Sequence, residues 1–311
     1  MDDARLVALK RALTTRGWQW EGGKSIPYGT QLVVRAGATE AVLNFYPKHG
    51  RMVVGGLASP LRQALSALTS QLEGTHIEAK PAPKPTTPSE AVAPEMGMDE
   101  SGKGDWFGPL VVAAVVVEPT QAAALRRAGV RDSKQIEAAA MAEVATAIEQ
   151  IVPATAREVL VLALADYNRR YAGLNNINLL LAELYAETAA PVLARTGVRQ
   201  IVCDQFAQRT ERLDTAFAQA NLPRPRQLHH AEAACLAVAA ASVLATARFQ
   251  AELVRLGAVA GLDGPLPKGA SAVRWLTRAA RQIIAREGVA GLGRYAKLNF
   301  KPVQELFSDG A

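Results

Sequence analysis

The sequence predicts an α/β protein with a central mixed sheet, preceded by a small α+β unit. Three observations carry this. Strands and helices alternate from Glu95 onward, residues 1–75 read as helix, strands and helix, and Pro81, Pro83, Pro85, Pro88 and Pro94 separate the two. Prolines so spaced among Lys, Thr, Ser and Glu forbid a packed element and favour extended, semi-rigid chain. The chain therefore divides into residues 1–77, a linker at 78–94, and residues 95–311.

In the first part, Leu6, Leu9 and Leu13 recur at helical spacing and Gly17 can end that helix. Trp18 to Trp20 starts a strand. Gln31–Arg35 and Ala41–Tyr46 are rich in β-branched and aromatic residues, and Arg51–Val54 pairs back after the turn at 47–50. Ser59-Pro60 opens a helix, with serine at the cap and proline in the first turn. Leu61, Leu65, Leu68 and Leu72 mark its buried face. The unit reads α-β-β-β-α.

In the second part, Leu110–Val117 is a continuous apolar run between turn residues, which reads as a buried strand. A helix is expected from Asp132-Ser133-Lys134 to about Val152, and a strand over Arg157–Ala165. A short helix follows from Asp166, and a longer one covers Asn178–Ala194. Gln200–Cys203 is a strand ending at Asp204. Glu232–Ala251 reads as one alanine-rich helix, and Ser271–Arg286 as another.

The 311 residues are 49% apolar and 21% charged, as a folded globular chain requires. Net charge is +6 and the pI near 9.4, a balance that suits a polyanionic partner. Cys203 and Cys235 lie in apolar contexts and read as buried thiols in a reducing compartment, which points to the cytoplasm. The longest apolar segment, Ala233–Ala247, is shorter than the roughly 18 residues a spanning helix needs, so no membrane is expected. Met1-Asp2-Asp3 is acidic, unlike a secretory leader.

Acids stand where chemistry can use them. Asp99 and Glu100 sit side by side before the turn Gly102-Lys103-Gly104, Asp204 ends a strand, and Glu232 opens a helix. Each alone also reads as a turn acid, a strand-end acid or a capping acid. Together they fit one pattern: four converging carboxylates repel one another and need hard cations, which favour oxygen ligands. Two Mg²⁺ or Mn²⁺ ions would supply that charge and support phosphodiester hydrolysis. No histidine–cysteine cluster suggests zinc.

The run Met98-Asp-Glu-Ser-Gly-Lys-Gly-Asp-Trp-Phe-Gly-Pro109 resembles the first motif of prokaryotic type 2 ribonucleases H, and its tail from Asp105 is most similar to ribonuclease HIII. The resemblance covers most of residues 95–301. Asp132-Ser133-Lys134 is similar to that family's Asp-Ser-Lys motif, and Tyr167-Asn168 with Asn175-Asn176-Ile177-Asn178 to ribonuclease HIII stretches. His230-Ala231-Glu232, Val238–Ser242, Leu266–Ser271 and Ala296–Lys301 are similar to later motifs. Lys103 stands where ribonuclease HII has arginine, His230 replaces a lysine, and Asn299 replaces a histidine. The resemblance implies a ribonuclease H-like fold, with a mixed five-stranded sheet flanked by helices, and a metal site at Asp99, Glu100, Asp204 and Glu232. It implies cleavage of the RNA strand of RNA–DNA hybrids, and the chain is expected to act as a monomer. It also implies that residues 1–77 form a TATA-binding-protein-like domain that binds hybrid through its sheet face.

An RNA–DNA hybrid is told from DNA by its 2′-hydroxyls. By resemblance Gly102, Lys103 and Gly104 sense ribose, and glycines permit close backbone approach; a tight hairpin turn explains them equally. Ser133 and Lys134 read as phosphate ligands at a helix start, or as an N-cap and a surface lysine. Arg274, Arg278 and Arg281 share one helix face that tracks phosphates or is simply solvated. The rival readings are incision at single ribonucleotides in DNA, a non-catalytic hybrid-binding protein, and a transposase-like nuclease.

Overall fold

The computed structural model describes residues 4–26, 28–48, 51–55, 59–74, 93–131, 133–206, 210–269 and 273–308. Most of the expected linker, together with Asp132, His49, Gly50 and residues 270–272, lies outside the described residues. Two compact units emerge: residues 1–82 with 267–281, and residues 83–266 with 282–311.

In the first unit, α1 (Ala4–Thr15) leads into β1 (Gln19–Ile26), β2 (Gly29–Ala36), β3 (Thr39–Tyr46) and β4 (Arg51–Gly55), and α2 (Pro60–Gly74) follows. The strands form an antiparallel meander in the order β1-β2-β3-β4. The strand expected to start at Trp18–Trp20 forms as β1, so the unit has four strands where the reading α-β-β-β-α counts three. β1 carries Gly22, Gly23 and Lys24 with a register shift between Gly22 and Lys24, so its alternation is weak in the sequence. Leu6, Leu9 and Leu13 of α1 and Leu61, Leu65 and Leu68 of α2 pack with Leu32, Val34, Leu43, Phe45 and Met52 into one core.

The second unit opens with β5 (Glu95–Ser101) and β6 (Leu110–Val117), then α3 (Ala122–Arg127), α4 (Met141–Ile151), β7 (Arg157–Leu162), α5 (Leu164–Leu174) and α6 (Ile177–Thr196). It continues through β8 (Ile201–Asp204), α7 (Glu211–Gln219), β9 (Arg226–Leu228), α8 (Ala231–Ala234) and α9 (Leu236–Val259), then α10 (Val273–Gly291, broken at Gly288), whose residues to 281 belong to the first unit and the rest to the second, and α11 (Lys301–Ser308). The sheet is mixed and five-stranded, in the order β7-β6-β5-β8-β9. β5 runs antiparallel to β6 and parallel to β8. Every residue of β6 is buried, as a strand covered on both faces demands.

α9 packs across β5 and β6, while α6 packs on β6 and β7. The approach of α9 is very close at one point. A Cβ on Gly97 would stand 2.0 Å from the backbone of Ala237 and Val238, so only glycine fits there. α9 has 24 residues and is long and apolar enough to cross a bilayer, more than the expected segment allowed; two-thirds of its apolar window (67%) is buried inside the protein.

Three expectations need correction. The helix expected over Glu232–Ala251 is two helices, because Cys235 is extended (φ −129, ψ 119) and serves as the N-cap of α9. Ser133–Gln135 is a single 3₁₀ turn, and α4 begins only at Met141. The strand expected to Ala165 ends at Leu162, and α5 starts at Leu164. The Asn175-Asn176-Ile177-Asn178 stretch has a local role. Asn175 closes α5 in the left-handed region (φ 46), and Asn176 Oδ1 accepts from the N–H groups of Asn178 and Leu179 at 3.0 and 3.3 Å, capping α6.

Candidate active site

Strand periodicity decides where each acid points. Side chains alternate along β5. Gly97 faces α9, so Asp99 leans to that face as well, where Ser242 of α9 hydrogen-bonds its carboxylate. Glu100 leans the other way, toward α6, and Tyr185 Oη donates to its Oε2 at 2.5 Å. β5 and β8 are parallel with Met98 opposite Cys203. Asp99 and Asp204 each stand one residue further and are therefore cross-strand neighbours on the α9 face. Asp204 Oδ1 accepts the N–H of Ala231 at 3.1 Å, which draws the start of α8 onto the end of β8. Glu232 is the next residue and is buried.

The structure thus sets Asp99 and Asp204 side by side at the end of β5 and β8, with Glu100 next in the chain and close enough for its charge to act on Asp99, and sets Glu232 on the helix that Asp204 tethers. Among the described residues no three His, Cys, Asp or Glu side chains form a ready cage for an ion. The strand geometry explains this, because Asp99 and Glu100 leave opposite faces of the same strand.

The electrostatics are those of crowded acids. Burial, and then the charge of Glu100, push the Asp99 carboxyl up to about 8. The Ser242 hydroxyl and the Glu100 N–H, 2.8 Å from Asp99 Oδ1, pull it back, and Asp204 adds to the rise. Burial, the Glu100 charge and the Asp99 charge hold the Tyr185 hydroxyl in its protonated, donating form. Surplus negative charge on hard oxygen ligands is what a divalent cation relieves, so the donor set fits Mg²⁺ or Mn²⁺.

Lys103 lies at the rim of this cluster. Its Nζ donates to the carbonyl of Phe206 at 3.0 Å, stands 4.9 Å from that ring's centroid and 4.0 Å from Glu100 Oε1. Burial lowers its pKa, while Glu100 and Asp204 oppose that shift. The two glycines of the turn differ. Gly102 has φ +88, and a Cβ there would lie 2.5 Å from the carbonyl oxygen of Pro109 and against the Phe249 ring. At Gly104 a Cβ would meet nothing within 4 Å, so its backbone faces open space.

Ser133 is buried, and its hydroxyl lies 2.8 Å from Ser242 Oγ and accepts from Thr246 Oγ1 at 3.4 Å. That hydroxyl backs Asp99 through Ser242. The Lys134 side chain lies outside the described residues. Arg274 pairs with Glu40 within the first unit. The sheet face of that unit turned away from α1 and α2 is closed at its centre, with Val42 at 4% and Asn44 at 3% exposure. Tyr28, at the β1–β2 turn, is 89% exposed.

Sequence reasoning missed Tyr185, Phe206 and the inward turn of Ser133. Tyr185 had one available signal, the single aromatic residue of its helix.

Residues 96–303 match the family model described as Ribonuclease HII. The chain is 30% identical over 257 residues to a Ribonuclease HIII of Protochlamydia amoebophila, covering 83% of this chain and 81% of that one. It is 36% identical over 211 residues to a Ribonuclease HIII of Geobacillus kaustophilus, covering 66% and 65%. Its fold is similar to the crystal structure of Bst-RNase HIII in complex with Mn²⁺, with a TM-score of 0.64 and 26% identity over 99% of this chain and 97% of that one.

Proposed function

The chain belongs to the ribonuclease HII family, among its ribonuclease HIII members, and from that premise we propose how its residues cut the RNA strand of an RNA–DNA hybrid. Asp99, Glu100, Asp204 and Glu232 hold the divalent ions of an endoribonuclease that leaves 5′-phosphate and 3′-hydroxyl ends. The observation that carries this reading is the cross-strand adjacency of Asp99 and Asp204, with Glu100 beside them and the Gly102-Lys103-Gly104 turn at the same strand end.

Asp99, Glu100, Asp204 and Glu232 would hold two Mg²⁺ or Mn²⁺ ions, which when bound would offset the carboxylate charge, activate water and stabilise the leaving oxygen. The chain's own residues prepare that site. Ser242 and the Glu100 N–H orient the Asp99 carboxylate, Tyr185 orients Glu100, and the Ala231 N–H orients Asp204. The open backbone at Gly104 is where ribose 2′-hydroxyls are read, and Lys103 places a cation beside it. Lys134 engages backbone phosphate. Residues 1–77 add hybrid affinity. With the sheet centre closed, that contact falls to the rim, where Tyr28 offers a ring for stacking and Arg51 is exposed. The enzyme acts as a cytoplasmic monomer, in keeping with two buried free thiols.

The test is a labelled RNA–DNA hybrid incubated with Mg²⁺ or Mn²⁺. Metal-dependent cleavage that Asp99→Asn abolishes, with hybrid binding retained, is the expected result. Binding without cleavage would favour a non-catalytic role, and rapid nicking at a lone ribonucleotide in DNA would favour the ribonuclease HII specificity. Tyr28→Ala with Arg51→Glu should raise KM and leave kcat unchanged.

A further inference from the structure

Lys297 is a lysine with no exposed surface. Its Nζ donates to the carbonyl oxygens of Gly108 at 2.6 Å and Asp105 at 3.0 Å, and stands 5.5 Å from the centroid of the Tyr167 ring. Burying an ammonium is costly, and an apolar side chain would fill the same space more cheaply. Its retention therefore needs a reason, and the loop it grips supplies one.

That loop, residues 102–109, joins the acid-bearing end of β5 to β6. In its trailing arm, Asp105, Trp106 and Gly108 are hydrogen-bonded to the strap 295–297, and Phe107 lies opposite Ala296 between those bonds. Lys297 N–H donates to Trp106 O at 2.7 Å, Gly108 N–H donates to Tyr295 O at 3.0 Å, and Phe107 forms a β-bridge with Ala296. The strap is itself held from α5. Asn168 Nδ2 donates to the carbonyls of Gly293 and Ala296 at 3.1 Å each, and its Oδ1 accepts the Leu298 N–H at 2.9 Å. Tyr167 Oη donates to Asn299 Oδ1 at 3.1 Å. At the loop's leading end, Asp105 N–H donates to Gly102 O at 3.2 Å, which carries the constraint back to the turn.

We propose that Lys297 is a positioning residue for substrate recognition: its buried Nζ donates to and fixes the carbonyls of Asp105 and Gly108, and so holds the Gly102-Lys103-Gly104 turn in one shape before the RNA strand. The proposal rests on the hybrid-cleaving reading above. Lys297 touches neither the acids nor the substrate. Without its Nζ, two loop carbonyls in a dry interior lose their donor. The turn would then sample several shapes, and the binding of ribose would suffer more than the chemistry at the acids.

The experiment compares wild type with Lys297→Met, which keeps the length and volume and removes charge and donors. It measures kcat and KM on a fixed-length RNA–DNA hybrid in saturating Mg²⁺, with circular dichroism to establish folding. The expected result is a KM raised about tenfold, with kcat changed less than about threefold, as loss of uniform binding predicts. Hydrogen exchange of the peptide covering residues 102–108 should quicken in the same variant. An unchanged KM and unchanged exchange overturn the proposal, and so does a fall in kcat alone. If Lys297→Met does not fold, Lys297→Gln, which keeps a neutral N–H donor, is measured in the same way. Failure of both to fold makes Lys297 a purely structural residue and also overturns it. A wild type that does not cleave hybrid sinks the functional reading itself, which separates the two failures.

Discussion

Tyr185 Oη lies 2.5 Å from Glu100 Oε2, a phenol donating to a carboxylate inside the protein. Tyr185→Phe removes that donor and leaves the packing against Phe206, whose ring centroid is 5.2 Å away, in place. We expect kcat to fall about tenfold, equivalent to about 1.4 kcal/mol, with little change in KM. Steady-state kinetics on a hybrid substrate check this.

Asp99 should give the metal-free protein a distinctive pH dependence. Its folded-state pKa is raised to about 8, chiefly by burial, above the ordinary carboxylate value. Between the two values the native state holds a proton that the unfolded chain has released. This group's contribution to stability is therefore fully present below about pH 4 and is lost as pH rises through about 8. Urea unfolding in EDTA should show wild type losing stability relative to Asp99→Asn over that window. Added Mn²⁺ should raise the Tm of wild type and not of Asp99→Asn.

Gly102 and Gly104 should respond in opposite ways to alanine. At position 102 the left-handed backbone and the Pro109 carbonyl 2.5 Å from the new Cβ predict a loss of about 2 kcal/mol or more. At position 104 a methyl group meets nothing within 4 Å, so stability should hold while KM for hybrid rises. Thermal unfolding and kinetics of the two variants test the contrast.

Ser242→Ala removes a donor to the Asp99 carboxylate. Since that hydrogen bond favours the charged form, its loss should raise the Asp99 pKa further and weaken Mn²⁺ binding near neutral pH. Calorimetric titration with Mn²⁺ measures this directly, and Ser133→Ala, one hydroxyl further back at 2.8 Å from Ser242, should give a smaller effect of the same sign.

Much of this site is legible in the residues because apolar runs announce strands. Leu110–Val117 and Ile201–Cys203 locate β6 and β8, so the acids that flank such runs fall at sheet ends. What is not legible depends on contacts distant in sequence. Cys235 breaks the helix within Ala-Glu-Ala-Ala-Cys-Leu, a stretch whose residues all tolerate helix; its thiol donates to Glu95 Oε1 at 3.3 Å, and Glu95 lies 140 residues earlier. β9 has only three residues, too few to show a period. Ser133 reads as a cap, yet it turns inward because Ser242 and Thr246 of α9 offer it partners. The burial of Lys297 is likewise invisible until the loop at 105–108 is laid against it.

Gly97 lies two residues before Asp99, where α9 comes so near that a single carbon atom would collide with the Ala237 and Val238 backbone. The spacing between Asp99 and the hydroxyl of Ser242 is thereby set at a position that carries no chemistry of its own. A library that randomises β5 to tune turnover should recover glycine alone at 97. Folding yield and catalytic rate would drop together in every other clone, since one steric limit governs both.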